Sequence, residues 1–173
     1  MKKIIVISGK QYSGKDTLAK ILLGKLVEFN RVGIGDAIKL RYGRDNGLSF
    51  DEIESNKHLY RSDLIKLGNF GRSIDSDYWL KSLADMDNII VPDVRVPHEV
   101  DFFKSRGAFL VRVESTIENR AKRGVLVDAD DDTETALDNY LGWDIVVDNN
   151  SDYDSLCKKA DEVVLAFTKF IAS

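Results

Sequence analysis

Residues 4–9 read Ile-Ile-Val-Ile-Ser-Gly, and Lys10-Gln11-Tyr12-Ser13-Gly14-Lys15-Asp16-Thr17 follows directly. An apolar strand running into G-x-x-x-x-G-K, with an amphipathic helix behind it, leaves the chain few folds to choose from. Gly9 and Gly14 allow the backbone angles of a tight loop. The loop N–H groups and the first turn of the next helix then converge on one anion, and the phosphates of a nucleoside triphosphate fit that description. Lys15 adds a mobile positive charge for the outer phosphates.

Loops of this kind usually place Ser or Thr after the lysine, where the hydroxyl meets Mg²⁺. Here the position holds Asp16, with Thr17 next. A carboxylate is a hard oxygen ligand that suits Mg²⁺, directly or through water. Near a helix start it can instead cap the first turn. Both readings of Asp16 stand on the sequence.

The chain has 173 residues, a length that predicts one domain with room for a lid. Its formal net charge of −4 argues against a general nucleic-acid surface, so any anion site must be a local cluster of cations. One cysteine, Cys157, excludes a disulfide framework. The sequence carries no signal peptide, transmembrane run or lipidation signal, which predicts a cytoplasmic protein with no membrane partner. Cys157 and Trp79 read as packing residues, and His58 and His98 receive no role.

Strands and helices alternate. Strands are predicted at 3–8, 31–35, 88–92, 108–113 and 143–148. Helices follow the first loop and start at Asp36, then recur at 57–72, 76–85, 97–106, 115–123, 134–141 and 152–171, with a loop or short helix over 43–56. This alternation predicts an α/β fold on a parallel sheet, with ligands at the carboxyl ends of the strands. The loop, Asp36 and Asp93 all fall at such ends.

Ile89 to Pro92 form an apolar strand ending in Asp93, an acid positioned beside a phosphate loop to hold Mg²⁺ or its water. It can equally start a turn. Arg95, at the mouth of the same cleft, suits a bidentate grip on phosphate or a surface ion pair. Arg61 and Arg72 lie eleven residues apart and share one face if Gly68 and Gly71 leave their helix unbroken. Arg120 and Arg123 share another face, where cations on a mobile segment could close over a transferring phosphoryl group. The acids after them, Asp128, Asp130, Asp131, Asp132 and Glu134, read as a solvated loop.

Gly9-Lys10-x-x-Ser13-Gly14-Lys15-Asp16 resembles the loop shared by phage-type deoxynucleoside monophosphate kinases and animal-type phosphomevalonate kinases. Tyr42 to Phe50, Tyr60-Arg61-x-Asp63-Leu64-Ile65 and Arg72-x-x-Asp75-x-Asp77-Tyr78 are similar to the middle of the phosphomevalonate enzyme. Asp93-Val94-Arg95-Val96-Pro97-His98-Glu99 is closer to the D-V-R-x-P-x-E stretch of deoxynucleotide kinases. Residues 132–138 and 144–149 resemble the C-terminal part of both.

The resemblance implies a three-layer α/β/α phosphate-loop domain over 1–173 with a five-stranded parallel sheet. It also implies an acceptor-binding helical region at 36–85, a lid at 115–134, and ATP with Mg²⁺. Carried over by position, Gly9 to Thr17 hold the donor and Lys15 its phosphates. Arg61, Arg72 and Arg95 hold the acceptor phosphate, and Arg120 and Arg123 are lid cations. Apart from the resemblance, Asp36 and Lys39 stand at the end of the second strand, where they could help frame the acceptor site. The phosphomevalonate family has further basic residues where this chain has Gln11, Tyr12 and Val96. Fewer cations fit a less charged acceptor. The sequence therefore predicts a kinase moving the γ-phosphoryl of ATP to a (deoxy)nucleoside monophosphate. A phosphomevalonate-type kinase is the alternative, and a nucleotide-binding regulator without turnover is the rival of another class.

Overall fold

The structure is a computed structural model and describes residues 2–126, 129 and 132–173. Along the chain the elements are β1 (Ile4–Ser8), α1 (Lys15–Lys25), β2 (Asn30–Arg31), α2 (Ile34–Asn46), α3 (Phe50–Ser55), α4 (Lys57–Ile74) and α5 (Tyr78–Lys81). β3 (Ile89–Val94), α6 (Pro97–Lys104), β4 (Phe109–Glu114), α7 (Ile117–Arg123), α8 (Asp132–Thr135), β5 (Ile145–Asp148) and α9 (Tyr153–Ala172) complete it. The chain divides into two compact units. One comprises the segments up to Arg31 and from Asp87 onward, and the other is Val32–Met86.

The first unit is a five-stranded sheet in the order β2-β3-β1-β4-β5, with every pair parallel. Both faces of β1 are covered, so all five of its residues are buried and it reads as an unbroken apolar run rather than an alternating one. Ile5 and Ile7 join Val111, Val113 and Val147 in a core closed by Leu18, Ala19 and Leu22 of α1 and by Leu156, Ala160, Val163 and Phe167 of α9. Alternation sends Ile4 and Val6 to the opposite face, where α6 packs on β1 and β4 with Val100 and Phe103 fully buried. Each buried leucine or isoleucine in these layers stabilises the fold by about 1.5–3 kcal/mol.

β3 is longer than the sequence predicts and carries Asp93 inside its last turn of register rather than after it. Val6 pairs with Val91 but Ser8 pairs with Val94, so the register slips at the buried Pro92. Proline cannot donate to a ladder, and a bulge is where a strand tolerates it. β2 is only two residues long, and α2 begins at Ile34, two residues before the predicted start.

In the second unit, α4 runs unbroken from Lys57 to Ile74 despite its glycines. Their purpose is close approach. A Cβ on Gly71 would lie 2.5 Å from Nε1 of Trp79, whose ring is buried and donates to the Gly68 carbonyl at 3.0 Å. The predicted helix over 76–85 contracts to α5, and that over 134–141 to α8. Among the described residues no helix is long and apolar enough to cross a membrane.

Candidate functional site

The loop between β1 and α1 is built by two left-handed residues. Gly14, at φ 99°, caps α1, and a Cβ there would collide with the side-chain amide of Asn149. That amide donates to the Ser13 carbonyl at 2.7 Å and locks the loop to the end of β5. Tyr12 also has positive φ, 57°, which costs a non-glycine residue about 1–2 kcal/mol. Strain of this kind persists only where surrounding contacts hold it.

Those contacts come from the predicted lid cations. Arg123 Nη1 donates to the carbonyls of Tyr12 (3.2 Å) and Ser13 (3.3 Å), and Nη2 donates to that of Asn149 (2.7 Å). Arg120 is buried and reaches the Gln11 carbonyl at 3.4 Å. Thr116 caps α7 by accepting from Asn119 N–H, and Asn150 accepts from the Thr116 N–H at 2.8 Å. Residues 115–123 are thus tied to the loop and to β5, and both arginines brace the loop backbone. Asp128, Asp130 and Asp131 of the predicted lid lie outside the described residues.

Lys15 is buried at the start of α1, with Nζ 3.5 Å from the Lys10 carbonyl. Burial pulls its pKa below the ordinary lysine range. Asp16 opposes the shift, Arg95 adds to it, and Glu134 and Asp93 oppose it again. The ammonium therefore sits within the field of all four groups. A cavity of about 620 Å³ opens beside it, lined by Gln11, Tyr12, Gly14, Lys15, Asp16, Thr17 and Arg123. Asp16 is exposed, 3.6 Å from Arg31, and makes no capping hydrogen bond, since Gly14 holds the cap position. The capping reading is thereby set aside, and the exposed carboxylate pairs instead with Arg31. Among the described residues no cluster of three acids, histidines or cysteines could hold a metal unaided. Asp16 and Asp93, both in the field of Lys15, are carboxylates that could share Mg²⁺ with water and phosphate oxygens, which are most of that ion's usual ligands.

Arg95 follows β3 and is fixed by the end of the D-V-R-x-P-x-E stretch. Pro97 starts α6, and Glu99 accepts from the backbone N–H of Arg95 (2.8 Å) and of Val96 (3.3 Å). Burial pushes the Glu99 carboxyl above its usual range, against those two donors. The Arg95 guanidinium donates to Glu134 Oε1 at 3.0 Å. Glu134 overturns the reading of 128–134 as a uniformly solvated loop, because its side chain is 4 % exposed and also accepts from the Gln11 N–H at 2.8 Å. Lys10 pairs with Asp138 at 2.6 Å. Asp138 lies 3.5 Å from Arg112, which is buried in β4 and donates to Ser8 Oγ at 3.1 Å.

The other predicted residues lie in the second unit. Asp36 accepts from the Gly33 N–H at 2.8 Å, boxing the start of α2, and lies 3.1 Å from Lys39. Lys39 also meets Glu54 at 2.5 Å. Burial lowers its pKa, but the hydrogen bonds to Glu54 and Asp36 win and raise it. Arg61 and Arg72 are exposed on the unbroken α4, eleven residues and so roughly 16 Å apart along one face. Arg72 donates to Asn69 at 2.9 Å.

Sequence reading missed Arg112, Glu134, Asp138 and Asn149. A charged residue inside the apolar run Phe-Leu-Val-Arg-Val was a usable signal for Arg112, since buried charge is costly without a partner. Glu134 carried none, being one acid in a row of acids.

The phosphomevalonate kinase family profile matches residues 7–109, and the deoxynucleotide monophosphate kinase profile matches residues 69–160. The chain is 29% identical to the phosphomevalonate kinase of Drosophila melanogaster, over 89% of this chain and 92% of that protein. In fold it is similar to shikimate kinase from Aquifex aeolicus, with a TM-score of 0.56 and 18% identity over 99% of each chain. A gluconokinase from Sinorhizobium meliloti gives a TM-score of 0.55 and 14% identity over 99% of this chain and 97% of that one.

Proposed function

The chain belongs to the phosphate-loop kinases, in the phosphomevalonate kinase and deoxynucleotide monophosphate kinase families, and from that premise we propose that it transfers the γ-phosphoryl group of ATP to a (deoxy)nucleoside monophosphate. Phosphoryl transfer asks little covalent work of the protein. Positioning and charge neutralisation carry the rate. Lys15 and the loop amides hold the donor phosphates, Asp16 and Asp93 hold Mg²⁺ with water and phosphate oxygens, and Arg95 takes the acceptor phosphate from the first unit. Within the second unit, Arg61 and Arg72 offer exposed cations on one face of α4. Bound Mg²⁺ supplies charge neutralisation at the phosphates.

One observation carries the choice of acceptor. Lys39, the well-shielded cation of the helical unit, is already balanced by Asp36 and Glu54. Gln11, Tyr12 and Val96 stand where the phosphomevalonate family has basic residues. Cations so balanced or missing suit a monophosphate on a neutral body better than an acceptor carrying both phosphate and carboxylate. The paired rings of Tyr42 and Tyr60, with centroids 5.8 Å apart, offer a wall for a base beside Arg61. The second reading, a phosphomevalonate kinase, is favoured by the family match over 7–109, which includes the whole of Val32–Met86.

The test is ADP release with ATP, Mg²⁺ and each acceptor in turn. Turnover with one or more nucleoside monophosphates and none with phosphomevalonate is expected. The opposite pattern selects the second reading, and ATP binding without turnover on any acceptor selects a regulator.

A further inference from the structure

Glu134 is a buried carboxylate with two donors of different origin. One is the main-chain N–H of Gln11, in the phosphate loop itself, at 2.8 Å. The other is Arg95 Nη1, just past β3, at 3.0 Å. Loop amides and arginine forks are the donors that proteins aim at phosphate oxygens. A carboxylate oxygen makes the same demand on an N–H group as a phosphoryl oxygen does. The same segment makes a second, separate contact, where Asp138 takes Lys10 Nζ at 2.6 Å. Residues 134 and 138 thus present two carboxylates to adjacent positions of the loop, and one of them also holds the arginine that faces the acceptor.

We infer that Glu134 is an exchangeable stand-in for a phosphoryl oxygen, holding the Gln11 amide and Arg95 together until the transferring phosphoryl group takes them over. The inference rests on the kinase reading above. The exchange follows from charge. A phosphate drawn to the Gln11 amide and Arg95 would face a buried carboxylate on the same two donors, and like charges a few ångströms apart repel, the more so where one of them is shielded from water. Glu134 must move aside for the donors to reach the phosphate. Its departure costs the loop two charge-assisted hydrogen bonds, and the incoming phosphate replaces them. In the resting protein it holds Arg95 beside the Gln11 amide.

The alternative is that Glu134 is a permanent strut. The two predict opposite signs. Binding of a non-hydrolysable ATP analogue with Mg²⁺ would be measured by calorimetry on the full chain and on Glu134→Gln. Glutamine keeps the shape and can still accept from Gln11, but it carries no charge to compete with phosphate. An exchangeable Glu134 predicts tighter binding by Glu134→Gln, by about tenfold or more, with a lower melting temperature in the absence of nucleotide. Unchanged or weaker binding by a folded variant would make Glu134 a strut and overturn the inference. Glu134→Asp guards against a folding failure. Its carboxylate, one methylene shorter, cannot span both donors, so it should bind the analogue more tightly than the parent by a smaller factor. Binding by neither parent nor variants removes the kinase reading and the exchange with it, whereas equal binding by all removes only the exchange.

Discussion

Lys15 earns its role through burial. Its ammonium is desolvated enough to pull its pKa down, and on the proposed reading a bound triphosphate would offset that desolvation. Lys15→Met should fold normally and lose kcat by about a thousandfold or more, as the charge acts chiefly on the transition state. A coupled ADP assay on a variant of unchanged melting temperature checks it. Arg123 works differently, since its donors go to carbonyls of Tyr12, Ser13 and Asn149. Arg123→Ala should therefore destabilise the fold by about 1.5–3 kcal/mol, seen in urea unfolding, besides weakening ATP binding. Arg123→Lys should recover little, because a single ammonium cannot span three carbonyls as the guanidinium fork does.

At the scale of elements, two local choices carry consequences. On α4, Gly71 admits the ring of Trp79, so Gly71→Ala must push the ring or the helix aside. The expected cost is about 1–3 kcal/mol, read by thermal or chemical unfolding. At the start of α6, Glu99 holds the backbone of Arg95 with a carboxyl whose pKa is raised by burial. A carboxyl with a raised folded pKa favours folding most when it is protonated in both states. That contribution is complete below the unfolded value of about 4.5 and is lost as pH rises through the folded value. Glu99→Gln, which can still accept from both N–H groups, should gain stability relative to the parent as pH rises from 4 to 7. Denaturant unfolding of both proteins across that range checks it, and a constant difference at all pH values would refute it.

At the scale of the whole molecule, the described residues contain no group of three acids, histidines or cysteines that could hold a metal unaided. Magnesium should therefore bind only together with nucleotide. Calorimetry should show no heat with Mg²⁺ alone, saturable binding with Mg²⁺ and ATP, and loss of turnover when the ion is chelated. Strong binding of Mg²⁺ to the protein alone would contradict the shared-ligand site.

The sequence by itself determined the class of fold and the identity of the phosphate loop. Both rest on short-range information. Periodicity names each strand and helix, and the glycine spacing specifies loop geometry within a dozen residues. The start of α6 was legible as well, because Pro97 and Glu99 mark it within three positions. What only the tertiary structure decided was who holds whom. Arg120 and Arg123 brace loop carbonyls more than a hundred residues away, Asn149 locks Ser13 from the end of β5, and Glu134 leaves a row of solvated-looking acids to bridge Gln11 and Arg95. Partners so distant in sequence are brought together only when β1, β4 and β5 pair side by side. An isolated acid or arginine carries no local mark of the neighbour that such pairing will give it.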